Sequence, residues 1–114
     1  MAEQFIVGAD NLINSAYQTD LCHVTVASGQ GALKRGTALA ANAEGKAVIL
    51  GTASATASWI LAKDVDATSA DAVAVAYREG HFNADQLIVK ASYTITAKDK
   101  DDFRTHNIIL SDSL

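Results

Sequence analysis

The sequence predicts a small mainly-β domain, of barrel or sandwich type with one or two short helices, behind a flexible N-terminal arm. Three observations predict it. Apolar and small or polar residues alternate with a period of two in several short runs. Turn-forming clusters of Gly, Asn, Asp and Ser recur about every 8–12 residues. Helix-start signals occur at only two places. The chain has 114 residues, of which 49% are hydrophobic and 19% charged. That is enough apolar side chain for one self-sufficient core, and it excludes disorder for most of the length.

Residues 1–20 have little period of their own. Gln4-Phe5-Ile6-Val7 could pair as a strand, but Gly8 follows, and the polar residues Asn11, Asn14, Ser15, Gln18 and Thr19 come after it. An isolated four-residue strand does not offset its ordering entropy, so this segment reads as an arm with one sticky patch. Residues 21–114 then form the β domain.

Cys22-His23-Val24-Thr25-Val26 alternates and reads as a strand, closed by Ser28-Gly29-Gln30-Gly31. Gly36 marks a turn or bulge before a short strand around Thr37-Ala38-Leu39. Asn42-Ala43-Glu44-Gly45 predicts a hairpin turn leading into Lys46-Ala47-Val48-Ile49-Leu50. Ser58-Trp59-Ile60-Leu61-Ala62 is too apolar to face water on either side. Ala72 to Tyr77 is the clearest strand: Val73, Val75 and Tyr77 share one face, and small alanines on the other invite close approach of a second layer. Arg78-Glu79-Gly80-His81 is expected to break it. Asn83 is expected to cap a helical turn over Ala84-Asp85-Gln86-Leu87. Tyr93-Thr94-Ile95-Thr96 is a further candidate strand. Thr96 also heads the best helix, Ala97 to His106, which has Asp99 in its first turn, Arg104 in its last and Asn107 beyond it. Ile108-Ile109-Leu110 closes the chain as a strand.

Twenty-two alanines and no proline are the compositional oddities, where about six prolines would be usual. Turns therefore fall to Gly, Asn and Asp. Nine basic against thirteen acidic residues give a net charge of −4, the wrong balance for gripping nucleic acid by its phosphates. One cysteine excludes an internal disulfide and a Cys-rich zinc site. Met-Ala-Glu-Gln is not a secretory leader, and Ala47-Val48-Ile49-Leu50 falls far short of the ~20 apolar residues of a membrane helix. A cytosol-like compartment is expected.

Catalytic constellations are scarce. Gly29 to Gly36 lacks the spacing of a phosphate loop. Asp64, Asp66 and Asp71 lack the spacing of a calcium loop and read as a solvated loop. Cys22 and His23, adjacent on a strand, point to opposite faces and cannot act as nucleophile and base. An enzyme would need His81, His106 and an acid such as Asp85 to converge. No catalytic residue, cofactor or metal is expected. A binding or assembly protein fits best, the alternative being a small-ligand or glycan-binding β domain with a pocket lined by Trp59 and Tyr77.

The strand around Leu33-Lys34-Arg35-Gly36-Thr37-Ala38-Leu39, the hairpin after it, the block from Asp71 through Tyr77-Arg78-Glu79-Gly80-His81-Phe82-Asn83 to Leu87, the charged helix and the terminal Ile108-Ile109-Leu110-Ser111-Asp112 occur in an order that resembles the lambda-like head decoration (capsid cement) proteins of tailed bacteriophages. The resemblance covers about residues 21–114, with the Tyr77 to Asn83 block its most specific part.

It implies a structural virion protein, not an enzyme. The protein would be a homotrimer on the outer capsid surface at three-fold sites, bracing the head against internal DNA pressure after assembly in the bacterial host cytoplasm. Its partners would be itself and the major capsid protein, with no nucleic acid and no membrane. The arm would order on the shell by strand addition through Gln4, Phe5, Ile6 and Val7. The Gly80-His81-Phe82 turn is expected at a trimer or capsid interface.

Overall fold

The computed structural model describes residues 12–13 and 19–111. Eight strands occur among them. The first, β1 (Asp20–Val26), alternates as its sequence predicts, with Val24 and Val26 buried and Leu21 and His23 exposed. After β2 (Gly31–Leu33), β3 (Ala38–Ala41) and β4 (Ala47–Ile49) form the expected hairpin. Its turn is held by the Asn42 side chain, which accepts from the backbone N–H groups of Glu44 and Lys46 at 2.9 and 3.0 Å. Strand β5 (Thr56–Leu61), β6 (Val65–Ala67) and the twelve-residue β7 (Ala72–Asn83) follow.

Five of these strands close into a barrel in the order β1-β4-β3-β5-β7, with β7 returning to pair antiparallel with β1. Closure leaves those strands few unpaired edges. The ribbon β2–β6 packs on it, and β8 (Ile108–Ser111) runs parallel to the last residues of β7, with Gly80 opposite Ile108.

Two apolar layers result. Val24, Val26, Leu39, Ala47, Leu61, Ala74 and Ala76 fill one, together with Leu33 and Ala67 of the ribbon. The small side chains Ala74 and Ala76 of β7 lie on this buried side. The second layer lies on the other side of β3 and β5, where Ala38, Ala40, Val48, Leu50 and Ile60 meet Phe82, Phe103 and Ile108. Phe82 and Phe103 are fully buried. Truncating either to Ala would cost about 3–5 kcal/mol. Leu12 is also buried in this layer, and Ile13 bridges to Phe82, although both fall in the segment read as an arm.

Two sequence expectations fail here. Arg78-Glu79-Gly80-His81 does not end the strand. The register with β1 slips so that Asp20 faces Glu79 and Leu21 faces Tyr77, leaving Arg78 without an opposite residue. Gly80, at φ +151°, carries the chain on into pairing with β8. A glycine inside a strand pattern thus marks a bulge and not a terminus. Tyr93 to Thr96 is not a strand: Tyr93 closes a turn onto the Lys90 carbonyl, and Thr96 is spent as a helix cap.

Helix α1 (Ala97–Thr105) begins with a complete capping box. The Thr96 hydroxyl accepts from the Asp99 N–H at 3.1 Å, and the Asp99 carboxylate accepts from the Thr96 N–H at 3.0 Å. Such a cap contributes about 1 kcal/mol. The Tyr93 hydroxyl donates to the same carboxylate, so buried Asp99 is well supplied with donors. Asn107 takes the left-handed conformation (φ +63°) that ends the helix. At the other predicted helical turn, Ala84–Gln86 is a single 3₁₀ turn, and Asn83 makes no capping bond to it.

Candidate docking surfaces

The outer layer covers only part of the barrel. On the β1–β7 pair, residues directly opposite share a face, which places Leu21, His23 and Thr25 beside Tyr77, Val75 and Val73. Tyr77 is sheltered, 8% exposed, by its contact with Phe82 and by Arg35. Arg35 donates to the Tyr77 hydroxyl at 2.5 Å and to the Ala62 carbonyl at 3.2 Å, with its guanidinium carbon 5.5 Å from the Tyr77 ring centre. Beyond Tyr77 the face is bare. Val73 is 70% and Leu21 52% exposed, and Leu21 with Val75, His23, Cys22 and Lys63 borders a shallow groove of about 310 Å³. Large apolar side chains grouped on an open sheet face are the usual mark of a contact surface. The alternation of β1 and β7 made this face legible. That it lies outside the covered side required the barrel's closure.

The segment expected at an interface has a different environment from a turn. Gly80 and Phe82 are buried inside the chain, and His81 is half-buried. A Cβ on Gly80 would lie 3.0 Å from Thr19 Cγ2 and 3.1 Å from the Phe82 ring. Phe82 holds the core, so its replacement by a charged residue would report on folding and not on docking. Gln4, Phe5, Ile6 and Val7 lie outside the described residues.

A second depression, of about 450 Å³, is lined by Trp59, Asp20, Arg78, Glu79, His106 and Asn107 among others. A bulge places Trp59 there: Leu39 faces Trp59 while Ala40 faces Ala57, so Ser58 is an extra residue. Tyr77, expected as the other wall of a ligand pocket, is instead packed beneath Arg35. Of His81, Asp85 and His106, only His106 lines this cleft, so the catalytic grouping that an enzyme would need does not form there.

The remaining polar candidates are structural. Asp71 accepts from the Ser28 N–H and from Lys46 Nζ, each at 2.8 Å, and these bonds hold its carboxyl below the usual range. Asp66 accepts from the Thr68 hydroxyl and N–H, with the same direction of shift. Asp64 accepts from the Arg35 N–H at 2.7 Å. Cys22 packs against the barrel's inner layer, and burial pushes its thiol up, away from reactivity. His23 lies on the opposite, exposed face. Among the described residues, no group of three or more His, Cys, Asp or Glu is placed to hold a metal ion, and no helix is long and apolar enough to cross a membrane.

No curated protein matches the chain. A family model does, that of the bacteriophage lambda head decoration protein D, over residues 3–108. The match takes in the barrel, the Trp59 bulge, the Tyr77 to Asn83 block and helix α1, and begins before Gln4. It makes the protein a structural component of the phage head, associated with the capsid of the virion. With nearly the whole length matched, the chain belongs to the bacteriophage lambda head decoration protein D family.

Proposed function

We propose that the protein is a homotrimer that binds the outer surface of the phage capsid at three-fold sites and braces the head against the pressure of packaged DNA. The family match over residues 3–108 carries this reading. The exposed Leu21 and Val73, with half-buried Val75 between them, support it, because a ring of three copies needs an apolar contact patch that the isolated chain leaves uncovered. In such a ring each interface is heterologous and closes after three copies, so one patch pair is used three times.

Docking a trimer on a three-fold site joins three weak attachments by effective concentration. The residues before Leu12 supply the attaching arm, since Leu12 and Ile13 are already committed to the domain. Gln4 to Val7 add a strand to the major capsid protein, with Phe5 and Val7 on one face and Ile6 on the other. Backbone hydrogen bonds provide that contact without demanding charge complementarity. The net charge of −4 is no obstacle, since the protein sits outside the shell and meets no DNA. Assembly takes place in the host cytoplasm, where the single cysteine stays reduced.

Native mass spectrometry at micromolar concentration tests the assembly. A trimer is expected, and a monomer without shell binding would overturn the reading.

A further inference from the structure

Trp59 is the chain's one tryptophan, and it stands half-buried in the cleft of about 450 Å³ between β5, β7 and the end of α1. We propose that this cleft binds an uncharged, hydroxyl-rich ligand, a short stretch of a neutral saccharide chain. The proposal is independent of how the protein attaches to the capsid.

The indole N–H has no acceptor among the described residues, and the ring stacks on no other aromatic among them. The ring packs by one side on the barrel core and presents its N–H at a polar opening, where a ligand hydroxyl can take the place of water. Around the ring stand groups whose orientation is already fixed. Asp20 Oδ2 holds Arg78 by its Nε at 2.6 Å, and the terminal guanidinium N–H groups have no partner among the described residues. His106 Nδ1 lies 2.9 Å from the Asp102 carbonyl oxygen, so that nitrogen must carry the proton. In the neutral ring Nε2 is therefore an acceptor. Glu79 offers a carboxylate that forms no ion pair among the described residues.

An apolar ring face flanked by fixed donors and acceptors matches a pyranose, which presents C–H groups on one face and hydroxyls around its rim. The volume falls within the ~300–1,000 Å³ of small-ligand sites. Charge narrows the ligand class. Asp20 and Glu79 set two carboxylates beside the one guanidinium of Arg78, which disfavours phosphate, sulfate and uronate polymers.

Trp59 emission supplies the readout. The protein is titrated with maltotriose, cellotriose and the N-acetylglucosamine trimer, with heparin as the anionic comparison. A saturable emission change with at least one neutral trisaccharide is expected, and none with heparin. Arg78→Ala and His106→Ala, at exposed positions, should each weaken it by roughly fivefold for the loss of one hydrogen bond. Saturation-transfer NMR on the unaltered protein should place the sugar's ring C–H protons nearest the protein. Emission that ignores all three neutral sugars, or that saturates as tightly in both variants as in the parent, overturns the proposal. So does emission that changes only with protein concentration or added capsid shells, since the cleft would then be a protein contact.

Discussion

Tyr93 occupies the space that a side chain on Gly51 would need. At φ +110°, a Cβ on Gly51 would lie 2.9 Å from Tyr93 Cγ and 2.8 Å from Lys90 Cβ. The contact clamps the end of the β3–β4 hairpin to the segment leading into α1, where Lys90 also donates its N–H to the Leu50 carbonyl at 2.9 Å. The outer apolar layer is fastened through this point.

Gly51→Ala should therefore be costly. It imposes a strained backbone angle and an overlap with two neighbours that hold adjacent backbone, about 2–4 kcal/mol in all. Urea denaturation should show a lower midpoint at unchanged slope. An unchanged midpoint would mean that the hairpin and the 90–93 segment are not in contact.

Asp71 ties the turn after β1 to the β3–β4 hairpin through Ser28 and Lys46. Its carboxyl is depressed, first by the bond from Lys46 and then by that from Ser28. The stability it contributes is present above the ordinary carboxylate value and is lost as pH falls through that value toward the folded one. Asp71→Asn should melt below the parent at about pH 7, and the gap should narrow as the pH falls below the ordinary carboxylate value. A gap that persists in acid would mean that the charge is not what Asp71 contributes.

Val73, 70% exposed, is the most open large apolar residue on the β1–β7 face. Val73→Glu should leave the stability of the isolated fold within about 0.5 kcal/mol. Self-association, followed by sedimentation equilibrium, should weaken by roughly tenfold or more, because a charge would be buried in an apolar contact. Undiminished association would move the contact to another face.

Much of the fold was legible because it rests on local rules. The period-two alternation of β1 and β7, the Asn42–Gly45 turn and the Thr96 capping box all depend on residues a few positions apart. What escaped depends on distant pairing. The Arg78–His81 stretch carries a turn-like composition, yet a register slip with β1 and a parallel partner from the chain's end keep it extended. Leu12 sits among polar neighbours in sequence but is buried beside Phe82 and Ile60. Phe82 reads as an exposed aromatic after glycine until β8 and α1 cover it. Trp59 and Tyr77 look like two walls of one pocket, and a bulge at Ser58 and the guanidinium of Arg35 part them.

The central claim is that the protein works by attachment to the phage head. Co-sedimentation with expanded shells of the major capsid protein from the same phage tests it most directly. Binding should saturate at about three copies per three-fold site and should leave the shells harder to disrupt. Shells that pellet without the protein at saturating concentration, and that are no sturdier for its presence, would contradict the account.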